Sequence, residues 1–469
     1  MQFLPDMDQT RAADSLPPSE HAQLPDEDGL PFPRRLIAAI AVLAAIVLAV
    51  LDGAIANVAL PTISQTLGVP PAASIWVVTS YQMALVMALL PCAALGESFG
   101  YRRIFTAGVV VFTCSSALCA LSPSLDWLIA ARFLQGFGAA AIMSLIAALL
   151  RLTYPQRLLG TAIGWNALAV ALSSAAGPTI GATILSLADW PWLFAVNIPI
   201  GVLVLAASRF LPDHKGTGRR VDFLSVGLNA CFFGPLVVGV DFLTARPLAG
   251  IALLVLASLS LIALVRREMH RSAPLIPLDL LRGAAFRVSV IASVCCFTAQ
   301  MISYVALPFY LQHSLGQSAW TTGLYMTPWP LTVALAAPIS GHLANRIQTA
   351  WLCAAGGLCL AVGLLLCAVW PFQHGLTPFI ALAMLCGLGF GFFQTPNNRN
   401  MLLSAPRERS GAAGGMQGTA RLMGQTAGAV VMALLFTLLP TEPAARIGLT
   451  VAAALALAAG MTSMLRVGK

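Results

Sequence analysis

Apolar residues fall along the chain in long unbroken blocks, each closed by a short run of Gly, Pro, Arg or polar residues. Inside the blocks there is none of the two-residue alternation that marks the strands of a membrane barrel. A helix rises 1.5 Å per residue, so about 20 apolar residues cross a hydrocarbon layer some 30 Å thick. The blocks predict spans at roughly 35–60, 73–95, 104–121, 126–149, 158–187, 191–211, 223–243, 247–265, 287–312, 321–344, 349–370, 376–402, 411–438 and 446–465, fourteen in all. The fold class they imply is an all-α polytopic membrane protein.

Composition agrees with that pattern. Of 469 residues, 58% are hydrophobic and 9% charged, against about 25% charged in soluble chains. So few charges cannot clothe a water-facing surface. The net charge of +8 is explained by where the cations lie. Only Arg246 and Arg446 fall at loops assigned to one side, and only Arg132 and Arg421 fall within spans away from the ends, Arg209, Arg287 and Arg399 counting with the loops they adjoin. All the others sit in the N-terminal segment or in loops assigned to the opposite side, an alternation that places both termini in the cytoplasm. The positive charge then meets the anionic inner leaflet, not nucleic acid. Residues 1–33 are Pro-rich, polar and acidic, without the basic-then-apolar order of a signal peptide. They are expected to form a disordered cytoplasmic tail.

Catalytic chemistry finds no foothold. The ten cysteines all lie in apolar segments and form no CxxC, and the six histidines form no HExxH. No GxxxxGK[ST] loop is present to cradle a nucleotide. The expectation is a protein that is not an enzyme, with no metal or cofactor.

The chain also repeats itself. A slide of 251 residues puts Gly136 and Gly138 on Gly387 and Gly389, and Gly160, Gly164 and Gly177 on Gly411, Gly415 and Gly428. A slide of 248 lays "ALGESFGYRR" beside "GHLANRIQTA", with Leu95 on Leu343. Weak internal repeats of this kind are common in carriers. They divide the chain into a six-helix bundle over 34–212, two extra helices with cytoplasmic linkers over 213–282, and a second six-helix bundle over 283–469. The central pair has no mate in the repeat. Two facing bundles suit a rocking carrier with its site at the midplane.

Five stretches carry a family resemblance: "LDGAIANVALP", "ALGESFGYRR", "RFLQGFGAA", "GPTIG" and "WPWLFAVNIPIG". Together they resemble the major facilitator superfamily, specifically its fourteen-span drug:proton antiporter (multidrug efflux) branch, over about residues 35–465. The resemblance implies two six-helix bundles working by alternating access, driven by a proton gradient. It departs from the usual pattern at the loop after the second span, where Glu97 replaces an aspartate, Ser98 an arginine and Ala93 a glycine. Pro191 likewise stands where the branch has an arginine.

Asp52 and Arg132 are the residues most out of place in apolar spans. A charge there costs about 3 kcal/mol or more unless paired or hydrated. Their depths match to within a turn or two, which makes them natural partners. With the resemblance, this assigns them proton coupling, against the alternative of a static tie between helices. The resemblance assigns conformational gating to Glu97, Gly100, Arg102 and Arg103 in the loop, and to Gly177, Pro178 and Gly181. The last three belong to a small-residue stripe from Gly160 to Gly181 that allows close packing. Pocket walls are expected from Tyr81, Gln82, Trp165, Asn166, Gln300, Tyr304, Tyr325, Trp329, Gln394, Asn397 and Arg421. Packing or hydrogen bonding between helices is the competing role for each. No carboxylate lies in the later spans to pair with Arg421.

The reading is a secondary transporter that exports small amphipathic or cationic compounds against proton entry. An organic-anion carrier for an endogenous metabolite is the alternative, because of Arg132 and Arg421, with a non-transporting receptor behind it. The expected setting is a bacterial-type inner (plasma) membrane, with the chain a monomer whose partners are lipid, protons and the small-molecule cargo.

Overall fold

The computed structural model describes residues 29–213, 216, 218, 222–269, 278–370, 372, 377–405 and 410–466. Most of the expected tail therefore lies outside the described residues. Its last five residues are held, with the Leu30 amide donating to the Thr153 carbonyl at 3.0 Å.

The described chain is helical throughout. The N-terminal half contains α1 (Arg34–Leu67), α2 (Pro71–Ser74), α3 (Trp76–Phe99), α4 (Tyr101–Ala120), α5 (Leu125–Thr153), α6 (Gln156–Leu187), α7 (Trp192–Ala195) and α8 (Asn197–Ser208). Next come α9 (Phe223–Ala245) and α10 (Pro247–Glu268). The second half contains α11 (Ala284–Phe309), α12 (Ala319–Met326), α13 (Pro328–Leu343), α14 (Thr349–Val369), α15 (Thr377–Leu403), α16 (Ser410–Leu438) and α17 (Thr441–Met464).

Among the described residues, twelve helices are long and apolar enough to cross a membrane. The spans expected at 191–211 and 321–344 are present as broken helices, α7–α8 and α12–α13, whose pieces are each shorter than a full crossing. Proline explains both breaks. Pro199 lacks the N–H that would bond the Ala195 carbonyl, and Pro328 and Pro330 do the same one turn after Leu324 and Met326. The tight turn between α3 and α4 is made at Gly100, whose φ of +102° favours glycine.

The internal repeat is visible as repeated packing. A methyl group on Gly136 of α5 would lie 2.4 Å from the Tyr81 carbonyl oxygen of α3, and one on Gly387 of α15 would lie 2.3 Å from that of Trp329 in α13. Gly138 meets Gly108 and Phe112 of α4 as Gly389 meets Gly356 and Leu360 of α14. Gly177 of α6 packs on Ala54 of α1, and Gly428 of α16 on Ile302 of α11. Only a glycine lets the backbones approach so closely, which is why the repeat survives there.

The extra pair packs on itself and on both halves, since α9 touches α3 and α16. Asn229 of α9 donates to the Met87 carbonyl of α3 at 2.8 Å. At the ends of α9 and α10, Arg267 pairs with Asp222 at 3.0 Å, and the Ser225 hydroxyl bonds both Asp222 and Glu268.

Candidate functional site

Asp52 and Arg132 form a buried ion pair. Arg132 Nη1 lies 2.6 Å from Asp52 Oδ2, with the two side chains 0% and 1% exposed. Gln135 sits one helical turn beyond Arg132 on the same face of α5. Its Nε2 donates to Asp52 Oδ1 at 3.1 Å and to the Ser116 hydroxyl of α4 at 2.8 Å, while its Oε1 accepts from Arg132 Nη1. Asn197, the first residue of α8, donates to Asp52 Oδ1 at 2.7 Å. Arg132 Nε donates to the Val77 carbonyl of α3 at 3.0 Å. The guanidinium is flanked by aromatic rings, its carbon 4.2 Å from the Tyr81 centroid and 5.4 Å from that of Phe194. The group thus joins α1, α3, α4, α5 and α8. A carboxylate with three donors, one of them its paired cation, avoids the full cost of burying charge.

Beside this cluster lies a cavity of about 460 Å³, walled by α1, α3, α5 and α6 of the first half and by α11, α12, α13, α15 and α16 of the second. Tyr81 separates the two sites. Its ring lines the cavity, covers Arg132, and reaches the Ala49 carbonyl through its hydroxyl at 3.4 Å. Asp52 does not line the cavity, although its neighbour Gly53 does. The halves meet across the end of the molecule where α1 and α6 finish. Gln312 donates to the Val58 carbonyl at 3.3 Å, Thr179 and Thr327 share a hydrogen bond, and Gly323 packs on Pro178 and Ala182.

The structure separates the expected pocket residues into two groups. Tyr81, Gln82, Gln300, Tyr304, Gln394 and Arg421 line the cavity. Trp165 does not: it is 55% exposed, in an outer groove of about 360 Å³ with Leu43, Val47 and Leu51 of α1. Asn166 is also absent from the cavity wall. Trp329 is buried behind Tyr304, edge to face at 5.4 Å, and Tyr325 packs on Phe379 at 5.9 Å. Asn397 is fully buried in a network between helices. It donates to the Ser289 carbonyl at 3.0 Å and accepts from Arg466 Nη1 at 3.0 Å. Sequence reasoning missed Gln135 and Asn197, although both lie within the quoted family stretches. It also missed Asn57, Thr395 and Gln425 on the cavity wall.

Of the residues expected to gate, Gly177 and Gly181 pack against Ala54 and Ile55 of α1, and Pro178 lines the cavity with Ala171 and Ser174. Glu97 and Arg103 are exposed around the Gly100 turn, with Arg102 partly buried. The Gly218 amide of the following linker donates to the Ser98 carbonyl there at 3.3 Å. No group of three or more His, Cys, Asp or Glu able to hold a metal occurs among the described residues.

Residues 42–429 match the family described as Major Facilitator Superfamily. The chain is 48% identical over 445 residues to "Uncharacterized transporter YebQ" of Escherichia coli K12, covering 94% of this chain and 97% of the relative. It is 32% identical to "Riboflavin transporter RibZ" of Clostridioides difficile, covering 79% and 81%. With "Multidrug resistance protein Stp" of Mycobacterium tuberculosis it shares 31% identity, covering 81% and 72%. A crystal structure of a POT family transporter superposes with a TM-score of 0.70 over 90% of this chain and 95% of the other, at 15% identity, a likeness of fold alone.

Proposed function

The chain belongs to the major facilitator superfamily and is a multi-pass membrane transporter, and we propose that it exports small amphipathic compounds in exchange for protons. The reading takes α7–α8 and α12–α13 as crossings, which makes fourteen, with both termini cytoplasmic in a bacterial inner membrane and a monomer as the working unit. Relatives named for multidrug resistance support an efflux role. A relative named for riboflavin keeps a metabolite cargo as the second reading.

One observation carries the proposal: a sealed ion pair stands behind a single aromatic ring from a cavity shared by both halves. Protonation of Asp52 removes the counter-ion of Arg132 and leaves a buried cation. Stranding such a charge costs about 3–5 kcal/mol. A ratio moved from 1:99 to 99:1 takes about 5.5 kcal/mol, so the proton supplies most of what a change of state requires. The helices tied by the pair include α1 and, through α1, the glycine contacts of α6. Loosening that tie frees the closed end, where Gln312 meets Val58 and Thr179 meets Thr327. Cargo leaves through that end and the proton returns to the cytoplasm.

The test is a dye-accumulation and toxicity panel on cells with and without the protein. The expected result is lowered accumulation of at least one compound, abolished by a protonophore and by Asp52→Asn. Export that continues at full rate with Asp52→Asn would make the carboxylate a structural tie.

A further inference from the structure

Among the described residues, four arginines in or at the ends of membrane helices each keep one guanidinium nitrogen buried without a hydrogen-bond partner, and three of them are held by other bonds. Arg132 has Asp52. Arg446 has Glu442 at 3.2 Å and the Tyr310 hydroxyl at 3.0 Å. Arg466 has the Ser289 hydroxyl and the Asn397 amide oxygen. Arg421 of α16 is different. It lines the central cavity with its Nε unpartnered, and no Asp or Glu lines the cavity with it to offset the charge.

We infer that Arg421 makes the central cavity an anion-binding site, whose cargo is a small organic anion with an apolar, partly aromatic body. This rests on the reading of the cavity as the cargo site. An uncompensated cation inside a span is expensive, and a ligand carboxylate or sulfonate supplies the charge-assisted hydrogen bonds that it lacks. Gln425, one turn along α16, and Asn398 of α15 line the same cavity, where their amide N–H groups can donate to the polar edge of the ligand. Tyr81, Tyr304, Phe297 and Phe390 line the cavity and supply apolar aromatic surface for its body. The volume of about 460 Å³ is within the range of small-molecule sites. Asp52, the carboxylate behind the Tyr81 ring, is committed to Arg132 and does not line the cavity, so it leaves the cavity charge unopposed. A cationic guest meets a like charge with no acid to offset it.

Charged thiol reagents test this without knowledge of the natural cargo. Ser174→Cys places a thiol on the cavity wall. Its modification is followed by site-resolved mass spectrometry in the full chain, with the native cysteines in place. The probes are the 2-sulfonatoethyl, 2-trimethylammonioethyl and 2-hydroxyethyl methanethiosulfonates, each rate divided by that for free cysteine. The expected anion-to-cation ratio is at least tenfold above one. Arg421→Gln brings it to within about twofold of one, Arg421→Lys keeps most of it, and the neutral reagent reacts at an unchanged rate in all three. A ratio at or below one in the Ser174→Cys protein alone overturns the inference, even if Arg421→Gln does not fold. A high ratio that persists in Arg421→Gln, with the neutral rate preserved, also overturns it. The rates need neither cargo nor a gradient. A chain that labels as expected but moves nothing therefore sinks the transport reading only, and export without anion preference sinks this inference only.

Discussion

Gly136 meets the Tyr81 carbonyl in the first half as Gly387 meets that of Trp329 in the second, yet four residues before each glycine the halves part company. There the first half has Arg132 and the second has Ala383. At the offsets of the repeat, Asp52 falls on Gln300, Gln135 on Cys386 and Asn197 on Gly448. Every member of the ion-pair cluster has a neutral or apolar counterpart. The second half instead carries Arg421 on the cavity wall, where the first has Val170. The comparison separates two kinds of constraint. Close backbone packing is kept in both halves because the fold needs it twice, while each charge appears once and so is no requirement of the shared scaffold.

The largest expected effect comes from breaking the charged cluster. Arg132→Ala strands Asp52 with two amide donors, and should destabilise the protein by about 3–5 kcal/mol, read as a fall in thermal unfolding temperature in detergent. Giving the first half the residues of the second, with Asp52→Gln and Arg132→Ala together, should recover most of that loss, since a neutral set carries no desolvation penalty. The same double variant should lose uphill export. If it is as unstable as Arg132→Ala alone, stranded charge is not the cause.

The shared scaffold gives the next effect. Gly136→Ala and Gly387→Ala each push a methyl onto a carbonyl oxygen, and overpacking of this kind costs about 1–3 kcal/mol. The two losses should agree to within about 1 kcal/mol if the halves are mechanically equivalent. A large loss on one side only would show that the repeat is a likeness of sequence without equal strain. A smaller effect belongs to the central pair, which has no counterpart. Asn229→Ala removes one hydrogen bond to α3 and should cost about 1 kcal/mol, measured in the same melts. A cost near zero would mean that α9 is held by apolar contact alone.

Much of this was legible in the sequence, for reasons that differ by residue. Apolar blocks declare spans because length is set by the bilayer. The breaks at Val196 and Thr327 were harder to see, since their prolines sit in otherwise continuous apolar runs. Asp52 and Arg132 stood out because charges inside spans are rare. Gln135 and Asn197 did not, because a neutral amide in a membrane helix has many uses. Which aromatics face the cavity was hidden for a different reason. In lipid the outer face of a helix is as apolar as its inner face, so periodicity carries no direction. Trp165 and Tyr81 look alike in the sequence, yet one lies in an outer groove and the other covers Arg132. Asn397 was misleading because its partner, Arg466, reads as a terminal loop cation but folds back into the bundle.

The smallest effect concerns the ring between the two sites. Tyr81→Phe keeps a ring over Arg132 and loses one long hydrogen bond, 3.4 Å to the Ala49 carbonyl, so it should cost less than about 1 kcal/mol. Tyr81→Leu loses the ring face as well, a further contribution of about 0.5–2 kcal/mol for a desolvated cation over an aromatic. The two substitutions should therefore differ while Arg132 is present. In the Asp52→Gln, Arg132→Ala background there is no cation to cover, and the gap between Phe and Leu should shrink to the packing difference. The matching pair in the second half, Trp329→Phe and Trp329→Leu, should show no dependence on either background, because Trp329 meets Tyr304 edge to face and covers no charge. A gap between Phe and Leu at position 81 that is the same in both backgrounds would mean the ring is only a wall. A gap that closes with the cation removed makes Tyr81 the contact through which cargo in the cavity is felt at the ion pair.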